Sequence, residues 1–144
     1  MADETSLNRP GDKLVVIIDD DDSVRELLEH IVAGEGFRFV AACDGEEGLG
    51  NVRKLLPDLV ILDLMLPRRG GFEVLREMQA GETERIPVMV LTGRYGDRTT
   101  EALMRQESNV VDFIQKPINT KALRASLHDV LKTFPPDSNG EKGP

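Results

Sequence analysis

The chain has 144 residues, 40% hydrophobic and 31% charged, with a formal net charge of −8, which fits one globular domain around a single core. The acidic balance speaks against a nucleic-acid-binding surface, which carries a basic patch, and no apolar stretch approaches the roughly 20 residues that span a bilayer. Residues 1–13 lack the apolar centre of a signal peptide, and the single cysteine, Cys43, allows no internal disulfide, so the expected setting is the reducing cytoplasm.

Residues 1–12 read as a flexible N-terminal tail punctuated by Pro10-Gly11. The run Leu14-Val15-Val16-Ile17-Ile18 has the length of a buried parallel strand and stops at Asp19-Asp20. Val24, Leu27, Leu28, Ile31 and Val32 share one face of a first helix, Ser23 with Glu26 suits a capping box, and Gly34 and Gly36 supply the stop. Phe37–Ala42 reads as a second strand, followed by Cys43 as a small packing residue. Leu49, Val52, Leu55 and Leu56 predict a second helix, weakened by Gly48 and Gly50 at about 1 kcal/mol each relative to Ala. Leu59-Val60-Ile61-Leu62 stops at Asp63, and Phe72, Leu75 and Met78 mark a third helix ending near Gly81.

Val88-Met89-Val90-Leu91 stops at Thr92, and residues 97–107 give a fourth helix with a poor apolar stripe. Val110 through Gln115 ends at Lys116-Pro117. Leu123, Leu127, Val130 and Leu131 form a fifth helix with Asn119 as its N-cap. Residues 134–144 bury too little apolar surface to order and read as a disordered C-terminal tail, which leaves 13–133 as the folded domain.

Strands alternating with helices predict an α/β fold, an all-parallel sheet covered on both faces through right-handed crossovers. The carboxyl ends of such strands gather at one edge, where the ligand crevice lies. Asp19, Asp20, Asp63, Thr92 and Lys116 are therefore expected in one small volume. Taken singly, each has an ordinary role: a solvated helix N-terminus for the run 19–22, a loop aspartate, a turn hydroxyl, a surface lysine. Four strand ends carrying complementary groups point instead to shared chemistry. Three carboxylates sit together at neutral pH only with raised pKa values or a bound cation. Their formal total is −3, Lys116 returns one positive charge, and a divalent metal would bring the site to neutrality. Oxygen ligands without His or Cys favour Mg²⁺ or Mn²⁺ over zinc. In such a site one carboxylate can become an aspartyl-phosphate, and Asp63, alone at its strand end, is the best nucleophile. Lys116 and Thr92 suit the neutralising and hydrogen-bonding roles toward phosphoryl oxygens.

The segments Val16-Ile17-Ile18-Asp19-Asp20-Asp21, Asp58 through Pro67, Leu91-Thr92-Gly93 and Asp112-Phe113-Ile114-Gln115-Lys116-Pro117 resemble the receiver domain of bacterial two-component response regulators, over about residues 13–133. The resemblance implies a flavodoxin-like (βα)5 three-layer sandwich with strand order 2-1-3-4-5. It implies a signalling domain rather than an enzyme, with Asp63 as phosphoacceptor from a histidine kinase or histidine phosphotransfer protein. Asp20, Asp63 and the backbone carbonyl of Met65 would ligate Mg²⁺, with Asp19 acting mainly through water. Thr92 and Lys116 would grip the phosphoryl oxygens, Thr92 and Phe113 would form the switch, and the peptide before Pro117 would be cis. A Phe lacks the Tyr hydroxyl, so Phe113 would switch by packing alone.

This chain departs from the family pattern in places. Gly70 stands where an Asp often precedes Gly71, Arg68 and Arg69 make that loop basic, and Gly93 replaces the commoner Ala, which should open the phosphorylation pocket. Asn109 replaces the usual Gly before the last strand and is expected to keep the turn through its tolerance of positive φ. The segment between Thr92 and Phe113 is slightly long for the family. Met65 and Arg94 flank the site and are expected to tune the phosphoryl lifetime.

One rival is an enzyme. Residues 17–23 also fit the opening of haloacid-dehalogenase-like phosphatases, with Asp19 as nucleophile and Asp21 as acid/base. Their acidic metal pair follows the lysine, however, whereas Asp129 and Asp137 are neither paired nor at a strand end. A flavodoxin-like nucleotide binder would need Ser, Thr or Gly in the first loop, where four acids would repel phosphate. A pseudo-receiver is disfavoured because no active-site group is missing. For output, no effector domain is expected after residue 133, which leaves two readings, a stand-alone receiver acting through protein contacts or a piece of a longer regulator. The resemblance places kinase contact near the first helix and a downstream protein target on the fourth helix, fifth strand and fifth helix, with no direct nucleic-acid or membrane contact. Arg98, Arg105, Lys121 and Arg124 give that face a basic cast. His30 and His128 are assigned surface or packing roles.

Overall fold

The structure, a computed structural model, describes residues 7–66, 70–93 and 109–136. Expectations on Arg68, Arg69, Arg94, Arg98, Arg105, Asp137, the helix at 97–107 and the outer parts of both tails lie outside the described residues.

Five strands, β1 (Leu14–Ile18), β2 (Arg38–Ala42), β3 (Leu59–Asp63), β4 (Val88–Thr92) and β5 (Val110–Gln115), form one parallel sheet in the order β2-β1-β3-β4-β5. Four helices are described: α1 (Asp22–Gly34), α2 (Gly45–Leu55), α3 (Gly71–Glu77) and α4 (Thr120–Leu131), the last being the fifth expected from sequence. Strand periodicity divides the core in two. Val16, Ile18, Val60, Leu62, Val88 and Val90 pack with α2 and α3 through Leu49, Val52, Val74 and Leu75. Val15, Ile17, Leu59, Ile61, Met89 and Leu91 pack with α1 and α4 through Leu28, Ile31, Leu123 and Leu127. Each such side chain contributes roughly 1.5–3 kcal/mol by leaving water.

Local competition alters several expected details. The N-cap of α1 is Asp21, whose carboxylate accepts the N–H groups of Ser23 and Val24, so the Ser23–Glu26 capping box does not form. A charged acceptor at the helix end outcompetes a hydroxyl two residues later. Leu27, Leu55, Leu56 and Phe72 lie at the exposed margins of their helices rather than in the core. For Phe72 the reason is that α3 is short and buries Val74 and Leu75 instead. Cys43 is exposed, because the chain leaves the sheet there and its N–H is taken by the Glu47 carboxylate at 3.2 Å. Gly48, expected to weaken α2, has a packing role: a Cβ there would lie 2.5 Å from Ile18 Cδ1, so only glycine lets α2 seat on β1. The turn geometry expected at Asn109 depends on residue 108 and lies outside the described residues. Asn109 is buried, and its amide accepts from Gln79 Nε2 at 2.6 Å and donates to the Ile86 carbonyl at 3.3 Å, tying the start of β5 to the end of α3.

Residues 7–12, read from sequence as part of a flexible tail, lie against the domain. The Asn8 N–H donates to the Lys132 carbonyl at 2.7 Å, and its side chain reaches the carbonyls of Leu131 and Lys132. These are acceptors that the end of α4 leaves without intrahelical donors. Beside them His128, buried as a packing residue, joins three elements. Its Nδ1 lies 2.7 Å from Thr133 Oγ1, its Nε2 lies 2.8 Å from Glu35 Oε1, and its ring sits 5.0 Å from that of Phe37. Arg124 Nε holds the other Glu35 oxygen at 3.4 Å. His30, by contrast, is exposed.

Candidate functional site

Register brings the strand ends together. Ile18 pairs with Leu62, Asp63 with Leu91 and Thr92 with Gln115, so Asp19, Asp63, Thr92 and Lys116 emerge along one edge. An irregularity between Val88 and Met89 leaves Val111 out of the pairing and sets this register on β5. The Lys116 N–H then donates to the Thr92 carbonyl at 2.9 Å, and the Lys116–Pro117 peptide is cis. Phe113 is half-buried against the α2–α3 side of the core.

At that edge Lys116 Nζ stands 3.3 Å from Asp19 Oδ2 and 3.3 Å from Asp63 Oδ2. Carboxylate oxygens of Asp19, Asp20 and Asp63 all lie within 4.8 Å of one another. Asp19 and Asp63 are buried and Asp20 is exposed, so the cluster has one open side. Asp63 Oδ1 accepts the Met65 N–H at 3.1 Å, and Met65 itself projects at the rim with 75% exposure. Gly71 makes this turn possible: a Cβ there would lie 2.6 Å from the Asp63 carbonyl oxygen. Gly70, the N-cap of α3, gives no side-chain cap, and an added Cβ at Gly93 would meet nothing within 4 Å.

The run of four aspartates divides its labour. Asp19 and Asp20 belong to the cluster, Asp21 caps α1, and Asp22 pairs with Arg25 at 2.6 Å. Sequence reading missed Arg25, which also donates to the Asp19 main-chain carbonyl. The only signal was its place on the first turn of the helix that follows the acidic run.

Among the described residues, the site is short of positive charge. Burial pushes the Asp19 carboxyl up to about 6; the Asp21 N–H opposes this, Asp63 adds to it, and Lys116 offsets part. Burial disfavours the Lys116 ammonium, yet Asp63 and Asp19 outweigh it and raise its pKa. Lys116 is close enough to Asp19 Oδ2 for an ion pair, but poorly aligned, and that oxygen is buried without a hydrogen bond. A buried carboxylate oxygen left this way is costly. All-oxygen donors, an excess of negative charge, an orphaned oxygen and one open side fit a hard divalent cation.

Among the described residues, no helix is long and apolar enough to cross a membrane. Residues 15–128 match the response regulator receiver domain family. Transcriptional regulatory protein AfsQ1 of Streptomyces coelicolor is 36% identical over 118 residues, covering 82% of this chain and 51% of that protein. DNA-binding response regulator MtrA of Mycobacterium tuberculosis is 37% identical over 118 residues, covering 82% of this chain and 50% of that protein. The chain thus spans about half the length of these curated relatives. A solved structure of a putative response regulator from Chloroflexus aurantiacus superposes with a TM-score of 0.75 at 31% identity, covering 83% of this chain and 97% of that one. Vibrio cholerae chemotaxis protein CheY4 gives 0.74 at 26% identity, covering 83% and 98%. Nothing in these likenesses supports the phosphatase alternative, and Asp21, its required acid/base, is occupied in capping a helix.

Proposed function

Because the chain belongs to the response regulator receiver family, we propose that it accepts a phosphoryl group on Asp63 from the phosphohistidine of a kinase or phosphotransfer protein. A carboxylate oxygen of Asp63 attacks phosphorus, the P–N bond breaks, and the departing imidazole nitrogen takes its proton from solvent. The observation that carries this is Lys116 Nζ placed 3.3 Å from both Asp63 and Asp19, beside an orphaned buried oxygen. Asp19, Asp20, Asp63 and the Met65 carbonyl would hold Mg²⁺, with Mn²⁺ as a substitute. When bound, the metal supplies charge neutralisation to the phosphoryl oxygens. Lys116 neutralises another oxygen and Thr92 donates its hydroxyl to a third. Thr92 with Phe113 relays the change, and Met65 at the rim tunes the lifetime of the acyl phosphate.

The role is that of a signalling domain rather than an enzyme, working in the cytoplasm. Residues 13–133 form the receiver unit, with 134–144 a tail. Output passes to a downstream protein through β5, α4 and the segment between β4 and β5. The test is treatment with a small acyl phosphate and Mg²⁺, followed by intact mass. Wild type should gain one phosphoryl group that metal chelation prevents, and Asp63→Asn should gain none. Persistent single phosphorylation of the variant overturns the assignment.

A further inference from the structure

Arg25 reaches from the first turn of α1 back to the end of β1. Its Nη1 donates to the Asp19 main-chain carbonyl at 3.0 Å, while Nη2 holds Asp22 Oδ1 at 2.6 Å. The side chain is only 18% exposed, so it is packed into the loop rather than trailing in water. Asp19 is thereby held at three of its polar atoms. Its N–H donates to the Ala42 carbonyl at 3.2 Å, its carbonyl accepts from Arg25, and Oδ1 accepts the Asp21 N–H at 2.9 Å. The polar atom left over is Oδ2, the orphan that faces Lys116.

We propose that Arg25 is a positioning residue for the cation site, fixing the Asp19 peptide so that Oδ2 keeps its aim into the acidic cluster. The inference rests on the reading that this cluster takes Mg²⁺. Two effects of Arg25 oppose each other. Its charge repels a cation, while its bracing lowers the cost of ordering the ligand. Asp22 at 2.6 Å neutralises the guanidinium locally, so bracing wins. The planar fork matters because it serves the carbonyl and the carboxylate together, which a lysine cannot do with fixed geometry.

The experiment is a Mg²⁺ titration of the full chain by calorimetry, with melting temperature measured on the metal-free protein. Wild type, Arg25→Ala, Arg25→Lys, Asp22→Asn and Asp20→Asn are compared. Arg25→Ala should weaken Mg²⁺ about tenfold, the loss typical of a residue that orients a metal ligand. Arg25→Lys should recover part of it, and Asp22→Asn, which frees one arm of the fork, should fall between. If wild type and Asp20→Asn both fail to bind, the metal reading itself falls. If wild type binds and folded Arg25→Ala binds equally or more tightly, the metal reading stands and the positioning role is overturned. Should Arg25→Ala not fold, wild-type affinity in both Arg25→Lys and Asp22→Asn overturns it equally. A lowered melting temperature with unchanged affinity assigns Arg25 to stability alone and also overturns the proposal.

Discussion

Two polar clusters lie at opposite edges of the sheet, and they differ in how fully their atoms are partnered. At the amino-terminal edge, His128, Thr133, Glu35 and Arg124 satisfy one another. With Nε2 protonated, the ring donates to Glu35 and accepts from the Thr133 hydroxyl, so neither nitrogen is orphaned. At the carboxyl edge, Asp19 Oδ2 is buried with no hydrogen bond, beside the Asp63 carboxylate and, among the described residues, the Lys116 ammonium. A closed network holds the ends of α1 and α4 together. An open one stores an electrostatic deficit that binding can relieve. Buried polarity alone does not mark a functional site; incomplete satisfaction does.

Breaking the closed network should cost the most stability. His128→Ala removes a buried ring and strands Glu35 and Thr133, for a loss of about 2–4 kcal/mol in chemical denaturation. Phosphorylation of the folded variant should be unchanged. An unaltered denaturation midpoint would contradict the assignment of His128 to the fold.

Changing the open network should act with the opposite sign. Asp19 has its pKa raised to about 6 from 3.8, so between those values the metal-free folded protein binds more protons than the unfolded chain. Its contribution to stability therefore falls as pH rises through roughly 4 to 6, by on the order of 1 kcal/mol for each pKa unit. Asp19→Asn should erase that component and exceed wild type in stability above pH ~6 without metal. Saturating Mg²⁺ should reverse the order. Identical pH profiles for the two proteins would remove Asp19 as the source.

The smallest effect is expected at residues 7–12, where Asn8 straps the chain to the end of α4. Asn8→Ala removes the side-chain bonds to the end of α4 and should cost about 0.5–1 kcal/mol, read as faster hydrogen exchange confined to the last turn of that helix. Exchange that rises evenly across the sheet would mean that the strap is not a local clasp.

The sequence disclosed the open site better than the closed one, for a physical reason. Asp19, Asp63, Thr92 and Lys116 each follow an apolar run, and a parallel sheet converts that position directly into proximity. The helical stripes of α1 and α4 were legible in the same way, through periodicity that the core enforces. Glu35, His128 and Thr133 follow no such rule, since their meeting depends on where two helices end. Asp21 as a cap, and Arg25 as a brace, depend on which of several adjacent acids wins a given donor. Phe72 and Cys43 were misjudged because composition records apolarity but not where an element stops.

Asn8 and Thr133 form a parallel bridge across nearly the whole described chain. Traced through space, the described chain therefore returns almost to where it begins, and that part of the body is topologically close to a ring. Joining those two points with a few residues and reopening the backbone in a surface loop would preserve the strand order while moving the cut. The site at the far edge draws its residues from four strand ends and would keep its geometry under that permutation.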